Sequence, residues 1–447
     1  MMHLFTIPIP TGASIGAWRH PSAFPKTVME LEPLLELAKT AERGLFDAIF
    51  FADGNGVRNM LKPDLFSALT PSDRPAAFEP VTLLSAIAMH TKNIGLVATA
   101  ATTYEAPYAL ARKFSSLDHL SGGRAGWNIV TGSTPEDSLN FGMDEHMARG
   151  DRYEMAIEFV DVAKGLWNSW ADDAFPEDKA AGRYLSPDRV HTLDHKGEYL
   201  SVKGPLNALR PKQGYPVLFT AGQSEPGKEL AARQAEGLFA MCNGIESAKV
   251  LYEDIKSRMA KYGRDRSELK VIPGIGFFVG ETDEEAQQLY NEIAALIPPK
   301  IGVEYLEKML VIDLKGYDLD DRLPAVDPAE VLGINSMRKS IAEQAEAHGW
   351  TIRQAYEHVV LSLGQPVVIG GPKKVADMME QWFAEKACDG FMVQCPVAPL
   401  SLRRFVDLVV PELQRRGLFR KEYEATTLRG NIGLQIPENP FFARRTA

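Results

Sequence analysis

The chain has 447 residues, 45% of them hydrophobic and 24% charged, the make-up of an ordinary globular protein. Its 59 acidic residues outnumber 49 basic ones, and the formal charge of −10 repels phosphate backbones, which argues against nucleic-acid binding. The opening residues lack the basic-then-apolar pattern of an export signal, no run of about 18 uncharged apolar residues offers a membrane span, and three cysteines, Cys242, Cys388 and Cys395, fit reduced thiols in the cytoplasm.

Strand-like and helix-like segments alternate along most of the chain. Residues 2–8 are a short apolar run closed by Pro8 and Pro10. Apolar residues then recur at helical spacing from Val28 to Ala41, and Gly44 ends the run. Residues 46–51 read as a buried strand, 81–90 as a helix, 94–100 as a strand and 108–119 as a helix. Ser121-Gly122-Gly123 makes a tight turn into a strand over 124–130, and a long amphipathic helix covers 152–167. After a polar, proline-containing excursion, the pattern resumes with a strand at 216–221 and a helix at 225–235. A short strand near 238–240, a helix at 246–262 and a strand at 271–279 follow, and Thr282 starts another helix. A mostly helical insertion then leads to a helix at 372–386, a strand at 390–394 and a helix at 402–415.

Eight strand-then-helix units imply a parallel sheet with right-handed crossovers, closed most simply as a (β/α)₈ barrel. The expectation is one such domain over 1–447. It carries insertions at about 54–79, 168–215 and 298–365, and a C-terminal arm, 418–447, on the surface or on a partner subunit. No CxxC or HExxH pattern occurs, so no metal site is expected.

In such a barrel the ligand site lies at the C-terminal ends of the strands. There the second strand runs into Asp53, the third reaches Thr99, the fourth carries Asn128, and the fifth leads into Gly222, Gln223 and Ser224. Each has a bland reading: Asp53 as a turn cap, Thr99 as a strand residue, Asn128 bonded to its own backbone, Ser224 as a helix N-cap. Four consecutive strands ending in polar side chains favour a shared pocket. Ser224, with Pro226 just inside the helix start, presents free N–H groups to an anion. Arg149 and Tyr153, about one turn apart, can add a charge and a phenol to a phosphate there. Gly222 to Lys228 imitates a P-loop, but Glu229 stands where a hydroxyl should hold magnesium, and Glu225 would sit inside the cradle. The glycines at 274, 276 and 280 have the wrong spacing for a dinucleotide turn.

The stretch Gly126-Trp-Asn-Ile-Val-Thr-Gly-Ser, then Asn140-Phe-Gly and Asp151-Arg-Tyr-Glu-Met-Ala-Ile-Glu-Phe, resembles the nitrilotriacetate monooxygenase branch of the bacterial-luciferase-like flavoproteins. His195-Lys-Gly-Glu-Tyr, Pro205-Leu, the run from Pro211 to Ser224 and Ala384-Glu-Lys-Ala-Cys-Asp-Gly-Phe are similar to the same branch. The resemblance implies a luciferase-like barrel that oxidises a small organic substrate with O₂ through a peroxide at the flavin C4a carbon. Reduced FMN would come from a separate NAD(P)H:FMN oxidoreductase. The family's flavin contacts fall here on Asp53, Thr99, Tyr153 and Ser224, and Arg149 stands where the family usually has histidine. A homodimer or homotetramer is expected.

No catalytic acid or base is assigned. His20 and His195 are more readily structural, and Cys242 is more readily a small buried group than a pocket residue. The stretches 54–79 and 298–365 are the expected lid. Competing readings are a deazaflavin-dependent oxidoreductase on the same barrel and a non-catalytic flavin carrier.

Overall fold

The computed structural model describes residues 1–57, 69–71, 76–132, 135–325, 336–362 and 365–442, with backbone only at 135–136 and 336–340. Eight parallel strands close into a barrel: β1 His3–Thr6, β2 Ala48–Phe51, β3 Gly95–Ala101, β4 Ala125–Val130, β5 Val217–Thr220, β6 Gly237–Ala240, β7 Lys270–Val279 and β8 Gly390–Gln394. Each pairs in parallel with the next, and His3 of β1 lies opposite Gly390 of β8, which completes the ring.

The strands are apolar on both faces because both are buried. Inward, Phe5, Phe50, Val97, Phe219, Phe239 and Met392 fill the barrel. Phe219 stacks on Phe239 at 5.1 Å between ring centroids. A side chain at Gly237 would meet the Phe219 ring at 2.3 Å, so only glycine lets that ring lie inside. Outward, Leu4, Ile49, Leu96, Trp127 and Leu218 pack against Leu37, Leu84, Phe114, Phe159 and Leu230 of the surrounding helices. Side chains alternate along a strand. Thr99 and Gln394 stand two residues beyond the inward Val97 and Met392, so they face the barrel mouth directly above its apolar filling.

The stretch 298–365 contributes helices Pro299–Leu310, Ser336–His348 and Ile352–Ser362, which share an apolar cluster with Leu289 and Ile293 of helix Asp283–Ala295. An additional strand, Val367–Gly370, escaped the sequence reading. It pairs with Gly276–Val279, the end of β7, which runs on past its last β8 pairing at Gly276. Four residues next to a helical segment carry too little periodicity to be separated from it. The helix after β8 starts at Leu400 and passes through a π turn at Phe405–Val409. Pro411 there has no N–H to give to the carbonyl four residues back.

The expected surface arm is corrected by the structure. Phe419, Leu428, Ile432 and Leu434 are buried, and the last three join the barrel's inner cluster from its N-terminal end. Leu428 methyls occupy the space that side chains at Gly95 and Gly126 would need. The polar composition misled because its charges are buried in pairs: Arg420 with Asp47, and Arg429 with Glu236. Among the described residues, no helix is long and apolar enough to cross a membrane.

Candidate functional site

A cavity of about 250 Å³ opens at the C-terminal ends of β2 to β5. Its wall includes Asp53, Thr99, Thr131, Tyr153, Thr220 and Gly222. The structure therefore brings four of the expected residues, Asp53, Thr99, Tyr153 and Gly222, to one space.

Asn128 stands beside Thr99 on the neighbouring strand, and its Nδ2 donates to Thr99 Oγ1 at 2.9 Å. Its Oδ1 is buried and has no hydrogen-bond partner. A buried acceptor left unpaired costs roughly 1–3 kcal/mol; Asn128 stands behind Thr99 and is not itself part of the cavity wall.

Ser224 is the N-cap of helix Glu225–Gln234, and its Oγ accepts from Gly227 N at 3.3 Å. The bland reading of Ser224 is thus correct and compatible with the functional one, because a hydroxyl that accepts one bond still carries a hydrogen to donate. A side chain at Gly227 would meet the Gly222 carbonyl carbon at 2.8 Å, and one at Gly222 would lie 2.9 Å from the Tyr153 hydroxyl. Two glycines therefore let the loop, the helix start and a phenol converge. Helix N-terminus, hydroxyl and phenol are donors of the kind that can hold an anion.

Arg149 opens helix Arg149–Trp167 one turn before Tyr153; it is exposed and does not line the cavity. Gln223 is not among the residues of the cavity wall. Its amide donates to Met241 O and accepts from Met241 N, both at 3.1 Å, which ties the β5 loop to the β6 loop. The P-loop imitation is closed off as well: Lys228 Nζ bonds Asp254 at 2.7 Å and Glu225 at 2.9 Å. His195 lies outside the barrel, bonded to Glu158 at 2.8 Å, and His20 faces Glu292 at 3.5 Å. Cys242 is buried in the packing between strands and helices, which pushes its thiol up to about 12. Most of the expected lid at 54–79 lies outside the described residues, as do 326–335 of the stretch 298–365.

Sequence reasoning missed a group behind the cavity wall. Tyr104 and His146 share a 2.7 Å hydrogen bond between Oη and Nδ1. Gly132, at φ 72°, lets the Tyr104 ring approach the wall, since a side chain there would sit 2.9 Å from it. Burial, and then the nearby Arg152 guanidinium, hold the His146 pKa below its ordinary value. Arg152 is itself buried, and its Nη1 donates to Met147 O. Among the described residues, no group of three or more His, Cys, Asp or Glu is arranged to hold a metal.

Comparison with known proteins agrees with this geometry. The family model described as luciferase-like monooxygenase matches residues 9–389. N-acetyl-S-(2-succino)cysteine monooxygenase of Bacillus subtilis (strain 168) is 45% identical over 432 residues, covering 96% of each chain. Nitrilotriacetate monooxygenase component A of Aminobacter aminovorans is 46% identical over 436 residues, covering 96% of this chain and 95% of the relative. The crystal structure of DmoA from Hyphomicrobium sulfonivorans superimposes with a TM-score of 0.86 at 34% identity, covering 98% of this chain and 94% of that one. The chain belongs to the luciferase-like monooxygenase family and is a flavin-dependent monooxygenase.

Proposed function

We propose that the chain is the oxygenating component of a two-component system. It receives reduced FMN from a separate NAD(P)H:FMN oxidoreductase and uses it with O₂ to oxidise a small organic substrate. The observation that carries this reading is one cavity with donors for an anion at one end and polar groups at the other. The Tyr153 hydroxyl meets the Ser224-capped helix start beside Gly222, while Asp53 and Thr99 stand at the ends of β2 and β3, with Asn128 behind Thr99.

These residues fit a flavin mononucleotide. Ser224, Tyr153 and the N–H groups after Ser224 would hold the phosphate, while Asp53 and Thr99, the latter bonded by Asn128, would take the polar edge of the ring system. When bound, reduced FMN supplies the electron pair and the oxygen-activating carbon. The chain supplies position and dryness. Phe50, Val97 and Phe219 make an apolar floor under the cavity, and a water-poor site protects a reactive oxygen species from hydrolysis. The same reading takes the chain as one barrel domain that works as a homodimer or homotetramer in the cytoplasm.

The test is oxygen uptake with a flavin reductase, NADH and FMN, with products identified by mass spectrometry. Nitrilotriacetate and N-acetyl-S-(2-succino)cysteine, taken from the relatives' names, head the substrate panel. The expected result is a product that carries one oxygen atom from O₂. Oxygen consumption no higher with the protein than with the reductase alone would reject the reading.

A further inference from the structure

The rim that carries the first cavity carries a second. It measures about 380 Å³ and opens at the ends of β1 and β2. The two adjoin along the chain: Ala52 lines the second, and Asp53 lines the first. Ile7 and Ala52 pack against the barrel's inner cluster, so the inner end of this cavity reaches the barrel mouth. Leu34 of helix Leu31–Arg43 and Leu83 of helix Pro80–Ala88 belong to the outer packing, so the cavity also extends outward over the starts of two helices.

The two cavities differ in chemistry. The first has two carboxyl groups, Asp53 and Asp137, and the Tyr153 phenol in its wall. The second is walled by isoleucine, valine, leucine, methionine, phenylalanine, alanine and proline, with three threonine hydroxyls at Thr11, Thr27 and Thr70. Among the described residues, no charged side chain lines it. Val28 and Met29, 69% and 48% exposed, hold apolar surface in water there. Gaps in a packed interior rarely exceed one water molecule, whereas small-molecule sites run from about 300 to 1,000 Å³ and are mostly apolar. Size and wall are therefore those of a ligand site.

The wall selects the ligand. Burial of hydrocarbon against it is favourable in proportion to area, and covers Val28 and Met29 as well. A carboxylate would give up its hydration there without an arginine or lysine of the wall to replace it.

We propose that this cavity takes the hydrocarbon part of the substrate, and that the substrate is an uncharged, apolar compound rather than a polycarboxylate. Given the oxygenation reading, on which this assignment rests, the oxidising chemistry lies at the barrel mouth, where the inner end of the cavity opens. One atom of O₂ enters the substrate, the other leaves as water, and the electron pair comes from reduced FMN.

The probes are n-alkyl methyl thioethers, from dimethyl sulfide to hexyl methyl sulfide, set against nitrilotriacetate. The series keeps one oxidisable atom and varies only the hydrocarbon. Binding is read first, without turnover, from the thermal melting midpoint of the full chain saturated with FMN, which a ligand of the folded state raises by mass action. Hexyl methyl sulfide is expected to raise it, and nitrilotriacetate to leave it unchanged. With reductase, NADH and FMN, kcat/KM for sulfoxide formation should climb about fourfold with each added methylene until the cavity is full. Ala77→Phe fills the cavity from an exposed wall position, and Val28→Asp puts a charge in the wall. Each should remove the midpoint rise and flatten the chain-length dependence without weakening FMN. A midpoint or rate that answers to nitrilotriacetate and not to chain length would overturn the proposal and leave the oxygenation reading standing. Loss of FMN affinity in Ala77→Phe would also overturn it, by showing that the cavity takes the flavin ring. Binding that follows chain length, with no oxygen uptake above that of the reductase alone, would sink the oxygenation reading instead and keep the cavity as an apolar site.

Discussion

The Tyr153 hydroxyl faces Gly222 across the wall of the cavity at the mouths of β2 to β5: a side chain at position 222 would lie 2.9 Å from that oxygen and 3.2 Å from the Gly227 Cα. Gly222→Ala must therefore push the phenol out of the proposed phosphate site or separate the loop from the helix start. FMN should bind at least about tenfold more weakly, in line with the roughly 1.5–3 kcal/mol of a hydrogen bond to a charged group. Ser224→Ala combined with Tyr153→Phe should weaken FMN more than riboflavin, which has no phosphate. Fluorescence titration with the two flavins measures both effects, and equal losses would mean that the phosphate lies elsewhere.

His146 should make stability depend on pH. Its folded-state pKa lies below the ordinary value, by burial first and by Arg152 second. The unfolded chain therefore binds the proton more readily. The contribution is complete above the unfolded pKa of about 6.5 and is lost as pH falls through the lower folded value. Urea midpoints should thus fall as pH drops below about 6.5. His146→Gln should flatten that slope, and an unchanged slope would assign it to other groups.

Leu428→Ala should cost about 2–5 kcal/mol, because the side chain is fully buried and fills space over two glycines that cannot close around the gap. Ile436→Ala, 42% exposed and farther along the same tail, should stay within about 0.5 kcal/mol. Denaturant titration separates the two. FMN affinity should be the same in both, since this tail lies at the far end of the barrel from the cavity.

All three cysteines are buried, and burial raises each thiol pKa, Cys242 and Cys395 to about 12. A thiol reagent at neutral pH should find no fast-reacting group in the native protein and three after unfolding. One rapid equivalent would mean that a cysteine reaches solvent through a motion of the barrel.

Much of this was legible in the amino-acid order. Strands buried on both faces leave apolar runs such as Ala48–Phe51 and Val217–Thr220, and the polar residues that follow them mark the barrel mouth. Asp53, Thr99 and Tyr153 could be placed that way because each depends only on its own strand or helix. What escaped depends on partners far along the chain. Arg420 finds Asp47 across 373 residues, Tyr104 finds His146 across 42, and Gln223 is held by the backbone of Met241. A charged tail looks like a solvated arm until its counter-ions are located. A glutamine beside a proposed phosphate site looks like a ligand until a nearer pair of amide groups takes it up.

The seam between the first and last staves has a consequence for biosynthesis. The ribosome delivers His3–Thr6 long before the edge it must join, Gly390–Val393, and the residues that seal the floor come later still. Until then the nascent chain exposes an unpaired apolar edge of the kind that recruits chaperones or aggregates. A premature stop that removed only residues 427–447 would release a ring with no base. Such a product should be cleared by proteolysis even though every residue around the cavity at the mouths of β2 to β5 had been made.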